Sequence, residues 1–86
     1  MRSMNTTDIA IYPNPSTGLF TISFKNTVNQ NLAIEILDVT GKIVKTLNIT
    51  SGFNSTQLNL QNQPNGIYFV RITGNGGVVM KRIVKE

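Results

Sequence analysis

The chain has 86 residues and a net charge of +4, from eight Lys and Arg against four Asp and Glu, with no Cys and no His. That length holds one domain, and the missing Cys and His remove disulfides, thiolate metal sites, the commonest general base and every Ser-His or Cys-His pair. The carboxylates Asp8, Glu35, Asp38 and Glu86 are scattered, so chemistry on a carboxylate pair has little material and the composition points away from an enzyme and from any cofactor.

The basic residues Arg2, Lys25, Lys42, Lys45 and Arg71 are dispersed, and only Lys81, Arg82 and Lys85 form a group. Without Trp, and with most aromatics at predicted core positions, the chain lacks the stacking platforms that bind nucleic acid. No apolar run approaches the roughly 18 residues of a membrane helix, and no signal-peptide pattern opens the chain, so no direct membrane insertion is expected. Residues 1–7 read as a start or linker, and 8–86 as one domain cut from a longer protein.

Short bursts of Val, Ile, Thr, Tyr and Phe separated by Asn, Gly, Ser and Pro predict strands throughout. The first covers Asp8 to Tyr12. Pro13-Asn14-Pro15-Ser16-Thr17-Gly18 stops it, because two prolines remove two amide donors from any ladder. The second runs Leu19 to Phe24, with Phe20, Ile22 and Phe24 pointing one way. A polar, Asn-rich linker follows, from Lys25 to Asn31. The third strand runs Leu32 to Leu37, and Asp38-Val39-Thr40-Gly41 is a tight turn into the fourth, Lys42 to Ile49. The facing of that fourth strand is ambiguous, since Ile43 and Leu47 share a parity that Val44 does not.

The fifth strand, Ser55 to Leu60, turns Leu58 and Leu60 inward, with Phe53 before it as a plug for one end of the core. Pro64-Asn65-Gly66 then opens the most apolar strand, ending near Thr73, with Tyr68, Val70 and Ile72 on its buried side. Asn75-Gly76 is a strong two-residue hairpin signal. The last strand, Val78 to Val84, carries basic residues on both faces, as a guarded edge strand would. Seven short strands with turns every 8 to 12 residues predict an antiparallel β-sandwich.

The glycines of Gly74-Asn75-Gly76-Gly77 precede a strand rather than the helix a phosphate loop needs, so they read as a turn. Asn5-Thr6-Thr7, Asn48-Ile49-Thr50 and Asn54-Ser55-Thr56 match the glycosylation triplet, a pattern that arises readily in a chain rich in Asn and Thr. A lone Asp38 is a poor start for a calcium site and a good turn cap.

Four stretches in order resemble a known family, the type A C-terminal sorting domains of the type IX (Por) secretion system. Tyr12-Pro13-Asn14-Pro15 with Gly18-Leu19-Phe20-Thr21-Ile22 is similar to its opening motif. Ile34 to Val44, with Asp38, Gly41 and Lys42, resembles its middle motif. Pro64-Asn65-Gly66-Ile67-Tyr68-Phe69-Val70-Arg71-Ile72 resembles its third, and Lys81-Arg82-Ile83-Val84-Lys85 its basic terminal strand. One departure is Gln63, where the family usually has Leu before the third motif's Pro; full burial there would cost about 1.5–3 kcal/mol.

The resemblance implies an Ig-like sandwich that acts as address and substrate, not catalyst. It directs a cargo through the outer membrane of a gram-negative bacterium, from the periplasm to the surface or medium. An outer-membrane shuttle receives the domain, and a sortase-like peptidase usually removes it and can join the cargo to lipopolysaccharide. On this reading Lys81, Arg82, Ile83, Val84 and Lys85 form the recognised strand, while Pro13, Asn14, Pro15, Gly18, Asp38, Gly41, Lys42, Pro64, Gly66 and Tyr68 shape the fold that presents it. The domain is expected to be monomeric. The rival reading is an Ig-like adhesion or carbohydrate-binding module.

Overall fold

In a computed structural model, which describes residues 8–74 and 77–86, seven strands form two antiparallel sheets. The strands are β1 (Ile9–Tyr12), β2 (Leu19–Phe24), β3 (Leu32–Leu37), β4 (Ile43–Ile49), β5 (Ser55–Asn59), β6 (Gly66–Gly74) and β7 (Gly77–Lys85). One sheet has the order β1-β2-β5 and the other β4-β3-β6-β7, the layered arrangement of an Ig-like sandwich. The Asn75-Gly76 turn lies outside the described residues, although the β6–β7 register closes on Gly74 opposite Gly77.

The core follows period-two alternation. Ile9, Phe20, Ile22, Phe24, Leu58 and Leu60 line it from the first sheet's side, and Leu32, Ile34, Ile36, Ile49, Tyr68, Val70, Ile72, Val79 and Ile83 from the second's. The expected buried side of β6 is confirmed, with Val70 and Ile72 fully buried and Tyr68 nearly so. The Tyr68 hydroxyl donates to the Pro64 carbonyl at 2.6 Å. That bond back to a residue four positions upstream is the tyrosine corner of Ig-like sandwiches.

A β-bulge resolves the ambiguous parity of β4. Ile36 pairs with Lys45 but Leu37 pairs with Ile43, leaving Val44 as the extra residue. The insertion flips the side-chain phase, so Val44 and Leu47 both pack against the core despite their different parity. Beyond it Leu37 is buried yet stands outside the central cluster. Its register partner Phe69 belongs to the outer side of β6, so Leu37 is covered on the outer face of the four-stranded sheet.

Strand limits shift where a terminal residue is claimed by a loop. Lys42 is held in the β3–β4 turn, its carbonyl accepting from Asp38 N at 2.9 Å, and Leu60 N bonds to Gly18 O at 2.7 Å instead of extending a ladder. Phe53 does not plug the core: its ring is 61% exposed. The backbone fixes it outward, with Phe53 N bonded to Thr50 O and Phe53 O accepting from Val28 N. Val28, from the linker read as polar and Asn-rich, packs against the core instead.

Candidate recognition surface

Alternating strand direction sorts the connections into two ends. The β1–β2, β3–β4 and β5–β6 loops and the end of β7 share one pole. Asp8 and the β2–β3 and β4–β5 loops share the other. The nine-residue strands β6 and β7 run from one pole to the other, which at strand rise separates the poles by about 30 Å. All four stretches that carry the family resemblance thus reach the first pole, where residues far apart in the chain meet.

At that pole the β7 edge is clipped. β7 is the last strand of its sheet, and β6 covers one side of it over its full length, from Gly66 opposite Lys85 to Gly74 opposite Gly77. On the other side, Asn14 Oδ1 accepts from Val84 N at 2.9 Å and Asn14 Nδ2 donates to Arg82 O at 3.2 Å. Ser16 forms a one-residue parallel bridge with Lys85, its N donating to Val84 O and its O accepting from Glu86 N. The Tyr12–Pro13 and Asn14–Pro15 bonds are both cis in the segment that crosses from β1 to this edge. An exposed edge invites pairing by other chains; here the half from Arg82 onward is already occupied.

The terminal basic group divides by strand parity. Arg82 lies on the outer face, exposed, and its guanidinium has no hydrogen bond or ion pair among the described residues. Lys81 and Lys85 point to the sandwich side with the buried Ile83. Lys81 Nζ reaches across to Ile9 O at 2.6 Å, joining the two sheets, and the buried Lys85 donates to Asn65 Oδ1 at 3.0 Å. Inward-facing cations on an edge strand keep their heads wet or bonded while their stems cover apolar surface. Val84 is half-buried on the outer face, opposite Ile67.

Asp38 is the turn cap the sequence predicts. Its Oδ1 accepts from Thr40 N, from the Thr40 hydroxyl and from Lys42 N. The Thr40 hydroxyl bond is the main cause of a carboxyl held below its ordinary pKa, helped by the Lys42 and Thr40 amides and the Lys42 charge against a smaller opposing desolvation. Gly41, at φ +88°, takes the left-handed turn position. Gly18 is needed for space as well: at φ +141°, a Cβ there would sit 3.0 Å from Gln61 Cα.

Between the β3–β4 turn and the β5–β6 loop runs a groove of about 580 Å³, lined by Asp38, Val39, Lys42, Val44 and residues 63–68. Gln63 is half-buried at its wall, so the full-burial cost of departing from the family's Leu does not arise. Burial pushes the Tyr68 hydroxyl above its ordinary pKa, and the Asp38 charge adds to it.

Sequence reasoning missed Ser16, Asn65 and the Ile9 carbonyl. Ser16 is buried, donating Oγ–H to Leu19 O at 2.7 Å and accepting from Gly18 N. The Ser16-Thr17-Gly18 run carried that turn signal. The Lys81 and Lys85 partners carried none, since both arise from strands and loops distant in sequence.

Among solved structures, the chain is similar to a DUF3244 family protein with an immunoglobulin-like β-sandwich fold from Bacteroides vulgatus, at 23% identity and a TM-score of 0.74 over 92% of this chain and 84% of that one. That likeness supports the fold alone. No curated protein matches. The profile of the family described as "Secretion system C-terminal sorting domain" matches residues 10–86, from β1 through the terminal strand. The clipped edge strand, the Asp38 turn and the tyrosine corner therefore sit in a chain that belongs to the type IX secretion C-terminal sorting domains, a family of export signals rather than catalysts.

Proposed function

We propose that the export machinery reads this domain through its terminal strand, at the pole where the motifs converge. The supporting observation is that β7 is an edge strand set in place by Asn14, Ser16, Lys81 and Lys85, with the Arg82 guanidinium exposed on its outer face and without a hydrogen bond or ion pair among the described residues. Arg82 and Val84 make the direct contact. Lys81, Ile83 and Lys85 act beneath them, holding the strand's height and register. Asp8 enters at the opposite pole, so a cargo preceding it leaves the reading surface clear.

The partner is an outer-membrane shuttle that takes the cargo from the periplasm to the surface of a gram-negative cell. A sortase-like peptidase then cuts before the sandwich, where the connecting chain is remote from the bound pole. The domain travels as a monomer, because Asn14 and Ser16 occupy the edge half another copy would pair with.

The test is a reporter fused before the full domain in a bacterium with an active type IX system. Deleting residues 80–86 would also remove the core residue Ile83, so the sharper variant is Arg82→Glu. Secreted reporter is expected to fall about tenfold, as reversing an interface charge allows, with the thermal midpoint of the domain unchanged. Wild-type export by Arg82→Glu sinks the reading.

A further inference from the structure

The pole opposite the end of β7 carries a feature that export does not use. Phe53 keeps its ring 61% exposed on the β4–β5 loop, and that loop is hydrogen-bonded along its length. Ser51 N donates to Asn31 Oδ1 at 2.8 Å, Gly52 N to Val28 O at 2.8 Å and Phe53 N to Thr50 O at 3.1 Å. Phe53 O accepts from Val28 N at 2.9 Å, and Asn54 O from Phe24 N at 2.8 Å. The ring is therefore presented to solvent from a fixed backbone, and a ligand meeting it has no loop to order.

Beside the ring, between the end of β4 and the start of β5, lies a pocket of about 120 Å³. It is lined by Asn48, Ile49, Thr50, Phe53, Ser55 and Thr56. Ile49 belongs to the core. The side-chain amide of Asn48 and the hydroxyls of Thr50, Ser55 and Thr56 have no hydrogen bond among the described residues. The pocket thus combines one aromatic ring with four polar groups that the fold itself does not use.

This lining is selective. No Asp, Glu, Lys or Arg belongs to it, and Asp8 and Lys25 share the pole but not the pocket. A charged ligand would lose water there without meeting a counter-charge. A wholly apolar one would cover the amide and hydroxyls and leave them without partners. The volume lies below the roughly 300–1,000 Å³ of sites for drug-sized ligands. What fits is a small neutral ring with a C–H face and a rim of hydroxyls. Its C–H face packs on the electron-rich face of Phe53. Its hydroxyls exchange hydrogen bonds with groups that can each both donate and accept.

We infer that this pocket binds a neutral hexopyranose unit of a glycan, with Phe53 as the stacking surface and Asn48, Thr50, Ser55 and Thr56 as the polar contacts. The assignment goes beyond the export reading and does not rest on it, since the pocket shares no residue with the terminal strand.

The experiment is an NMR titration of the isotope-labelled 86-residue chain. The probes are the methyl glycosides of glucose, galactose, mannose and N-acetylglucosamine, with that of glucuronic acid as the charged control. At least one neutral glycoside is expected to shift the amide signals of Asn48, Thr50, Phe53, Ser55 and Thr56, with a Kd of about 1–10 mM. Phe53→Ala is expected to weaken binding at least about tenfold, and Phe53→Tyr to retain it. Because the ring is exposed, both variants should melt within about 3 °C of wild type. If no neutral glycoside moves these signals at about 100 mM, ten times the weakest expected Kd, the assignment is overturned. Shifts that survive Phe53→Ala unchanged overturn it too, as does a glucuronide that binds as tightly as the neutral sugars.

Discussion

Asp38 accepts three bonds at one oxygen, which together outweigh the opposing desolvation, so its contribution to stability is electrostatic and pH-dependent. Its folded pKa lies below the ordinary value. A depressed carboxylate contributes stability above the unfolded pKa, and that contribution is lost as pH falls through the folded one. The thermal midpoint of the wild-type domain is thus expected to drop as pH is lowered below about 4. Asp38→Asn, which cannot titrate, should show a shallower drop. Parallel melting curves from pH 6 to pH 2 check this, and identical slopes would refute it. The cap itself was legible in Asp38-Val39-Thr40-Gly41, because a turn's chemistry is local. The exposure of the Phe53 ring was not, since backbone bonds with Val28 of the separate Lys25–Asn31 linker hold the loop that carries it.

At the scale of elements, β7 depends on what covers its two sides. Nine register pairs tie it to β6, while the opposite side relies on Asn14 and Ser16. Asn14→Ala removes both side-chain bonds and frees Val84 N and Arg82 O at a sheet edge. Water can reach both freed groups, so the expected loss is about 0.5–1.5 kcal/mol, read by urea unfolding. It is accompanied by a concentration-dependent dimer in size exclusion with light scattering, because an unblocked edge pairs readily. A variant that keeps both wild-type stability and a monomeric profile would show the clip to be dispensable. The strand positions were legible from alternation and turn residues, and six strands, β1 to β5 and β7, begin and end within one residue of the expected limits. The bulge at Val44 was visible only as an unresolved parity. A sequence records that two phases conflict, but not which strand absorbs the extra residue.

For the whole molecule, antiparallel order puts Asp8 and Glu86 at opposite poles of the sandwich. A bulky folded protein fused before Asp8 should therefore leave export intact. The same protein fused directly after Glu86 would lie against Asn14, Ser16 and the groove, and should reduce secretion to background. Western blots of medium and cell fractions check both, and equal secretion from the two fusions would contradict polar recognition.

By itself the sequence determined the all-β class, the strands, the inward residues Phe20, Ile22, Phe24, Tyr68, Val70 and Ile72, and the family's motifs. Each is a short-range property: period-two alternation, Pro and Gly punctuation, or a run of adjacent residues. The tertiary structure alone decided how the terminal cations are used. Lys81, Arg82 and Lys85 look equivalent in the sequence, but the parity of β7 sends two of them to Ile9 O and Asn65 Oδ1 and leaves Arg82 in solvent. Those partners lie 72 and 20 residues away: the closing of one sheet over the other brings Ile9 O to Lys81, and the pairing of β6 with β7, with Gly66 opposite Lys85, brings Asn65 to Lys85.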